Sequence, residues 1–185
     1  MESIIARIVA TVLTIILLGG VGYLTYAGFS NNRVSRFTSQ TSNLEQVVNQ
    51  TYASAASFTG LTGLPAADLS QIKDMWASAT PGTATIGTSG TLVDPWGDPL
   101  QVLGGGDAGI PAGVTVTAAQ FVLIDPGANL SQSDCQSIAG NLSGIAYATY
   151  INNVLVGTAG APVTPVAIAA ACTSPGLALA FVYGH

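Results

Sequence analysis

Charge is what this sequence has least of. Charged residues make up 7% of its 185 positions, against roughly 25% in an average soluble domain. Four basic residues occur: Arg7, Arg33, Arg36 and Lys73. A phosphate-binding surface clusters Lys and Arg so that counterions are released. Beyond Arg33 and Arg36 this chain has nothing to cluster, so no direct nucleic-acid binding is expected. Histidine occurs once, at the final position, His185. A Ser-His-Asp triad needs an imidazole held between two partners, and His185 is a poor candidate. Cysteine occurs twice, at Cys135 and Cys172, without the CxxC spacing or nearby histidines of a metal site. An even cysteine count outside the cytosol points to one disulfide; two reduced thiols are the alternative. Asp94, Asp98 and Asp107 stand near glycines, but not at EF-hand spacing, and read as turn formers. Gly104-Gly105-Gly106 lacks the Lys-Ser/Thr of a phosphate loop and reads as a flexible loop. The sequence therefore offers no catalytic residue, cofactor site or metal site, and does not read as an enzyme.

What is present is apolar and small. Hydrophobic residues, Ala among them, reach 49%, and Gly, Ser and Thr fill much of the rest. A soluble monomer with so little charge has little to keep it apart from its neighbours. A polar but uncharged skin suits a protein packed against copies of itself.

Ile8 to Ala27 runs without a charge. At 1.5 Å per residue, about 20 residues cross the roughly 30 Å hydrocarbon core of a bilayer. A cleaved signal peptide is the rival, but its apolar region spans about 7–15 residues, and Tyr26-Ala27-Gly28-Phe29-Ser30 is a weak match for cleavage. The run reads as a retained anchor. Gly19, Gly20 and Gly22 interrupt it, each costing a helix up to about 1 kcal/mol relative to Ala. They either permit close helix contact in a membrane or mark where the helix unwinds in a filament. Beyond Asn32, the positions Phe37, Leu44, Val47, Val48, Thr51, Ala55 and Phe58 recur at helical steps and form one apolar face. The expected plan is a membrane or filament-core helix over 1–28, its amphipathic continuation over 29–58, and a globular head over 59–185.

The head is punctuated by Pro and Gly from Gly60 onward. A helix is expected over Asp68–Ser78, and short strands over Thr83–Ile86 and Thr91–Val93. Leu100–Leu103 and Val114–Val116 read as strands or extended loops. Phe121–Asp125 is the clearest strand, ended by Asp125-Pro126-Gly127. Ser131 with Asp134 approximates a capping box and opens a helix over about Gln132–Ser143. Tyr147–Val156 reads as a strand broken at Asn152-Asn153, and Leu177–Tyr183 as a buried strand. Val163–Ala171 is apolar and small, with no assigned element. The fold class is α+β: a long N-terminal helix packed on a domain with an antiparallel or mixed sheet and one further helix.

These residues resemble the type IV pilins: an uncleaved apolar helix continuing into an amphipathic one that docks on a small C-terminal head. LSQSDCQSIAGNL, a long insert and then AACTSPGLALAFVYG resemble the class IVb group, which includes the toxin-coregulated and conjugative thin-pilus pilins. In that group a helix carries the first cysteine and a terminal strand follows the second. Asp94-Pro95-Trp96-Gly97 resembles a turn found mid-chain in these pilins. The resemblance implies a disulfide between Cys135 and Cys172. It implies the major subunit of a helical homopolymer, held in the inner membrane with a periplasmic head before assembly and exported as an extracellular pilus. Prepilin peptidase and the pilus assembly machinery would be its partners, with no cofactor. Adhesion, aggregation and conjugative mating-pair stabilisation are the uses it implies; a minor pilin, tip adhesin or secretion-system pseudopilin is the alternative. Met1 would be the N-methylated residue left after leader removal, unless the mature chain starts elsewhere. The family's glutamate at the fifth position is replaced by Ile5. Glu2 is the only early acid, and its pairing with Arg7 of a neighbouring subunit would balance charge in the filament core.

Overall fold

A computed structural model describes residues 32–50, 52–54, 57–59, 61, 92–161, 163–173 and 177–184. The anchor segment with Met1, Glu2, Arg7, Gly19, Gly20 and Gly22 lies outside these residues, as do the helix expected over Asp68–Ser78 and the strand over Thr83–Ile86. The chain divides into two compact units, Met1–Arg33 and Val34–His185.

Helix α1 is helical over the described residues 32–50. From Val34 on it buries Phe37, Leu44 and Val48, which follow one another at seven and four residues and so share a face. Val47 packs at the margin of the same core. Phe58 is buried too, but as part of an irregular segment past the turn at 52–54 rather than of the helix. Its N–H bonds the Ala118 carbonyl (2.8 Å), and its ring lies 5.3 Å from that of Phe121. Phe58 is thus tied to the strand that carries Phe121 and to the turn before it.

The sheet comprises β1 (Leu92–Val93), β2 (Pro99–Gly104), β3 (Gln120–Asp125), β4 (Ala148–Ile151), β5 (Val154–Thr158) and β6 (Leu179–Gly184). Its order is β1-β2-β3-β6-β4-β5, with every neighbour antiparallel. The last strand is thus inserted at the centre, pairing Phe121 with Tyr183 and Leu123 with Phe181. Alternation along a strand sends successive side chains to opposite faces. Phe121, Leu123, Leu179, Phe181 and Tyr183 share a core with α1 and α2 (Gln132–Leu142). Val122, Ile124, Ala180 and Val182 face the other way, onto Leu103, Tyr150 and Val114. Val114–Val116 is not a strand; it is an extended loop whose Thr115 N–H reaches the Tyr150 hydroxyl (3.3 Å). With both faces covered, β3 and β6 are apolar nearly throughout rather than alternating.

Gly104 and Gly105, expected in a flexible loop, are buried crossing points. A Cβ on Gly104 would meet the Phe58 carbonyl, and one on Gly105 the Thr117 carbonyl. The run of glycine lets two backbone segments touch the end of β2.

Helix α2 starts where the cap signal places it. The Ser131 hydroxyl accepts the Asp134 N–H (3.1 Å) and donates to the Asp134 carboxylate (2.7 Å). Helix α3 (Pro165–Ala171) was not assigned from the sequence; Thr164 caps it by accepting the Ala167 N–H (3.2 Å), with Pro165 in its first turn. β4 and β5 form a hairpin through Asn152 and Asn153, with φ of 52° and 64°, the left-handed pair that a two-residue turn requires.

Candidate assembly surface and a buried acid cluster

A disulfide joins Cys135, in the first turns of α2, to Cys172, the C-cap of α3. Both residues are fully buried. The bond fastens helix to helix, and β6 begins seven residues beyond Cys172; it does not clamp the terminal strand itself. Between the two cysteines lie most of α2, the β4–β5 hairpin and α3.

This segment carries the large exposed apolar side chains found among the described residues: Ile145, Tyr147, Val154, Leu155 and Val166. Val166 is 79% exposed on α3, and Val154 63% exposed at the tip of the hairpin. β5 is also the end strand of the sheet among the described residues. A cleft of about 440 Å³ opens beside Ile145 and Tyr147, with Glu45 of α1 and Gly184 of β6 on its wall. Burial raises the Glu45 carboxyl above its ordinary range.

A second feature lies at the other side of the sheet. Asp94 and Asp98 flank the Pro95-Trp96-Gly97 turn between β1 and β2. One Asp94 oxygen, Oδ1, accepts the N–H groups of Trp96 (2.8 Å) and Asp98 (2.7 Å), so the expected turn role holds. Asp98 accepts both the backbone N–H (2.8 Å) and the side-chain amide (2.7 Å) of Asn129, tying this turn to the loop before α2. Asp125, which ends β3, accepts the Gly127 N–H through Oδ1 (2.8 Å). The three carboxyls are buried and converge, each with an oxygen within 4.8 Å of the others. Burial first, and then the facing Asp94 carboxylate, push the Asp125 carboxyl up to about 8. Burial likewise raises Asp94. Asp107 stays apart, accepting the Gly104 N–H (2.8 Å) within its own turn. Sequence spacing links Asp94 with Asp98 but gives no sign of Asp125, which the β2–β3 pairing delivers across the sheet.

No family model and no curated protein matches the chain. Four chains of solved structures do. A type IVb pilin from Salmonella typhi aligns over 84% of this chain and 99% of its own, at a TM-score of 0.55 and 18% identity. TcpA, a type IV pilin from Vibrio cholerae El Tor biotype, aligns over 83% and 99%, at 0.55 and 10%. The chain has the type IV pilin fold. Seen as a pilin head, α1 is the spine docked on the sheet. Among the described residues, the large apolar side chains left exposed all lie in the disulfide-bounded segment. His185, Lys73 and the early charged pair lie outside the described residues.

Proposed function

We infer that this chain is the major structural subunit of a type IVb-like pilus. Its N-terminal helix would anchor it in the inner membrane with the head in the periplasm, and after leader removal by prepilin peptidase the assembly machinery would pack the helices of many copies into a filament core. A head-to-tail interface that does not close generates such a helix of subunits. The observation that carries the reading is a head of type IV pilin fold whose large exposed apolar side chains, among the described residues, are gathered in one disulfide-bounded segment. Apolar surface on a protein with so few charges favours permanent neighbours over a free life in solution. Burying it stabilises contact by about 25 cal/mol per Å² of apolar area. The filament would serve adhesion, aggregation or the stabilisation of mating pairs. Glu2 and Arg7 would pair between subunits, and the glycines at 19, 20 and 22 would let the helix unwind there.

Shearing filaments from cells that express the chain, then imaging them and measuring their protein composition, tests the reading. The chain is expected to be the dominant polypeptide of a helical filament. Filaments that contain it only in trace amounts would overturn the major-subunit assignment and point to a minor or tip position. The intact mass of the filament subunit reads the true N-terminal residue and its methylation.

A further inference from the structure

The acid cluster has no role in polymerisation as described above, and it presents an electrostatic problem that its surroundings leave unsolved. Asp94 and Asp125 are wholly buried, and Asp98 nearly so. Among the described residues no cationic side chain pairs with Asp94 or Asp125; the charged groups that act on them are the other acids of the cluster. The Oδ1 atoms of Asp94 and Asp125 are taken up by backbone N–H groups. Among the described residues no N–H or O–H donor reaches their buried Oδ2 atoms, and the Asp125 carboxyl lies within hydrogen-bond reach of that of Asp94. Native proteins satisfy buried polar groups, and a bare buried carboxylate oxygen signals a missing ion or proton.

We propose that Asp94, Asp98 and Asp125 hold a calcium-class divalent cation that joins the β1–β2 turn to the end of β3. The donors are all carboxylate oxygens, the hard ligands that such cations take. Two oxygens on one calcium, each at 2.3–2.6 Å, lie at most about 5 Å apart, and the three carboxylates meet that limit at 4.8 Å. Magnesium keeps several of its waters, which suits a site this deeply buried less well. The two Oδ2 atoms supply ligands from the β1–β2 turn and from the end of β3. Asn129 fixes the third carboxylate by two hydrogen bonds, so Asn129 is a positioning residue rather than a ligand.

The site stands apart from the assembly surface and does not depend on the pilus reading. The test uses the full chain in detergent, stripped with chelator and titrated with calcium chloride by calorimetry. One ion per chain is expected, with an unfolding midpoint raised by roughly 5–10 °C at a hundredfold excess over the dissociation constant. Asp125→Asn and Asp94→Asn should each weaken binding at least about tenfold, while Asp107→Asn, outside the cluster, should leave it unchanged. Failure of the unsubstituted chain to bind calcium up to about 10 mM, above the usual range of extracellular modules, overturns the proposal whether or not the variants fold. A second overturning result is a shared proton: calcium has no effect, stability falls as pH rises from the ordinary aspartate range toward 8, and Asp125→Asn abolishes that fall.

Discussion

Breaking the Cys135–Cys172 bond should destabilise the head by about 4 kcal/mol. The cysteines are 37 residues apart in sequence. Cross-linking a loop of that length removes about 13 cal/mol/K of entropy from the unfolded chain on the loop-closure account, which gives the figure at 25 °C. For a chain of this size each kcal/mol moves the midpoint by about 2–4 °C, so the expected fall is roughly 8–16 °C. Reduction isolates this effect because the sulfurs stay in place. The pair Cys135→Ala, Cys172→Ala adds a cavity, since both side chains are fully buried in the main core beside Ile138 and Ile168, and should cost more than reduction alone. The assay is guanidinium unfolding of the full chain in detergent, followed by tryptophan fluorescence with and without reductant. A loss on reduction below about 1 kcal/mol would refute the reasoning, because the unfolded chain would then not be losing the freedom the loop length implies.

Further substitutions separate folding from assembly. Gly127→Ala should destabilise by about 2–4 kcal/mol, since φ is +64° and a Cβ would meet the Leu177 carbonyl; Gly160→Ala, where nothing lies within 4 Å, should stay within about 0.5 kcal/mol by the same unfolding assay. Ser131→Ala removes the cap of α2 and should cost about 1 kcal/mol. Phe181→Ala, in the centre of the sheet and fully buried, should cost about 3–5 kcal/mol. Val166→Lys and Leu155→Lys, both on exposed positions, should leave subunit stability within about 0.5 kcal/mol while reducing sheared filament yield several-fold; unchanged yield would remove this face from the assembly surface.

The elements that sequence reading located are those whose signal is local. Ser131 and Asp134 mark the start of α2 because a cap is a contact between near neighbours. Asn152-Asn153 marks the hairpin because the turn itself demands left-handed residues. FVLID and the terminal apolar run identify strands buried on both faces. What stayed hidden was set by distant partners. Phe58 fits the helical face of α1, yet its backbone leaves the helix to bond Ala118, sixty residues away by position. Gly104-Gly105 looked loose because sequence does not show which backbones cross there. Helix α3 is only seven residues long, too short for a periodic pattern, although Thr164-Pro165 is a legible start signal once helix is entertained.

The same distinction explains the acid cluster and links it to assembly. Asp94 and Asp98 announce a turn, and Asp125 announces the end of a strand. Nothing in their spacing says that pairing β2 with β3 brings all three to one buried point. Yet composition contains the consequence. The chain has nine acidic residues against four basic ones, and the cluster takes three of those acids into the interior. With one divalent cation the formal charge falls from −5 by two, to −3, and none of the compensation is exposed. Like-charged subunits packed side by side repel at a distance of up to about 10 Å at ordinary salt. A chain that buries a third of its acids around a cation that offsets most of their charge presents fewer charges to its neighbours. If calcium is withdrawn, the loss should therefore appear first in the β1–β2 turn and its tie to Asn129, and only then in the packing of one head against the next.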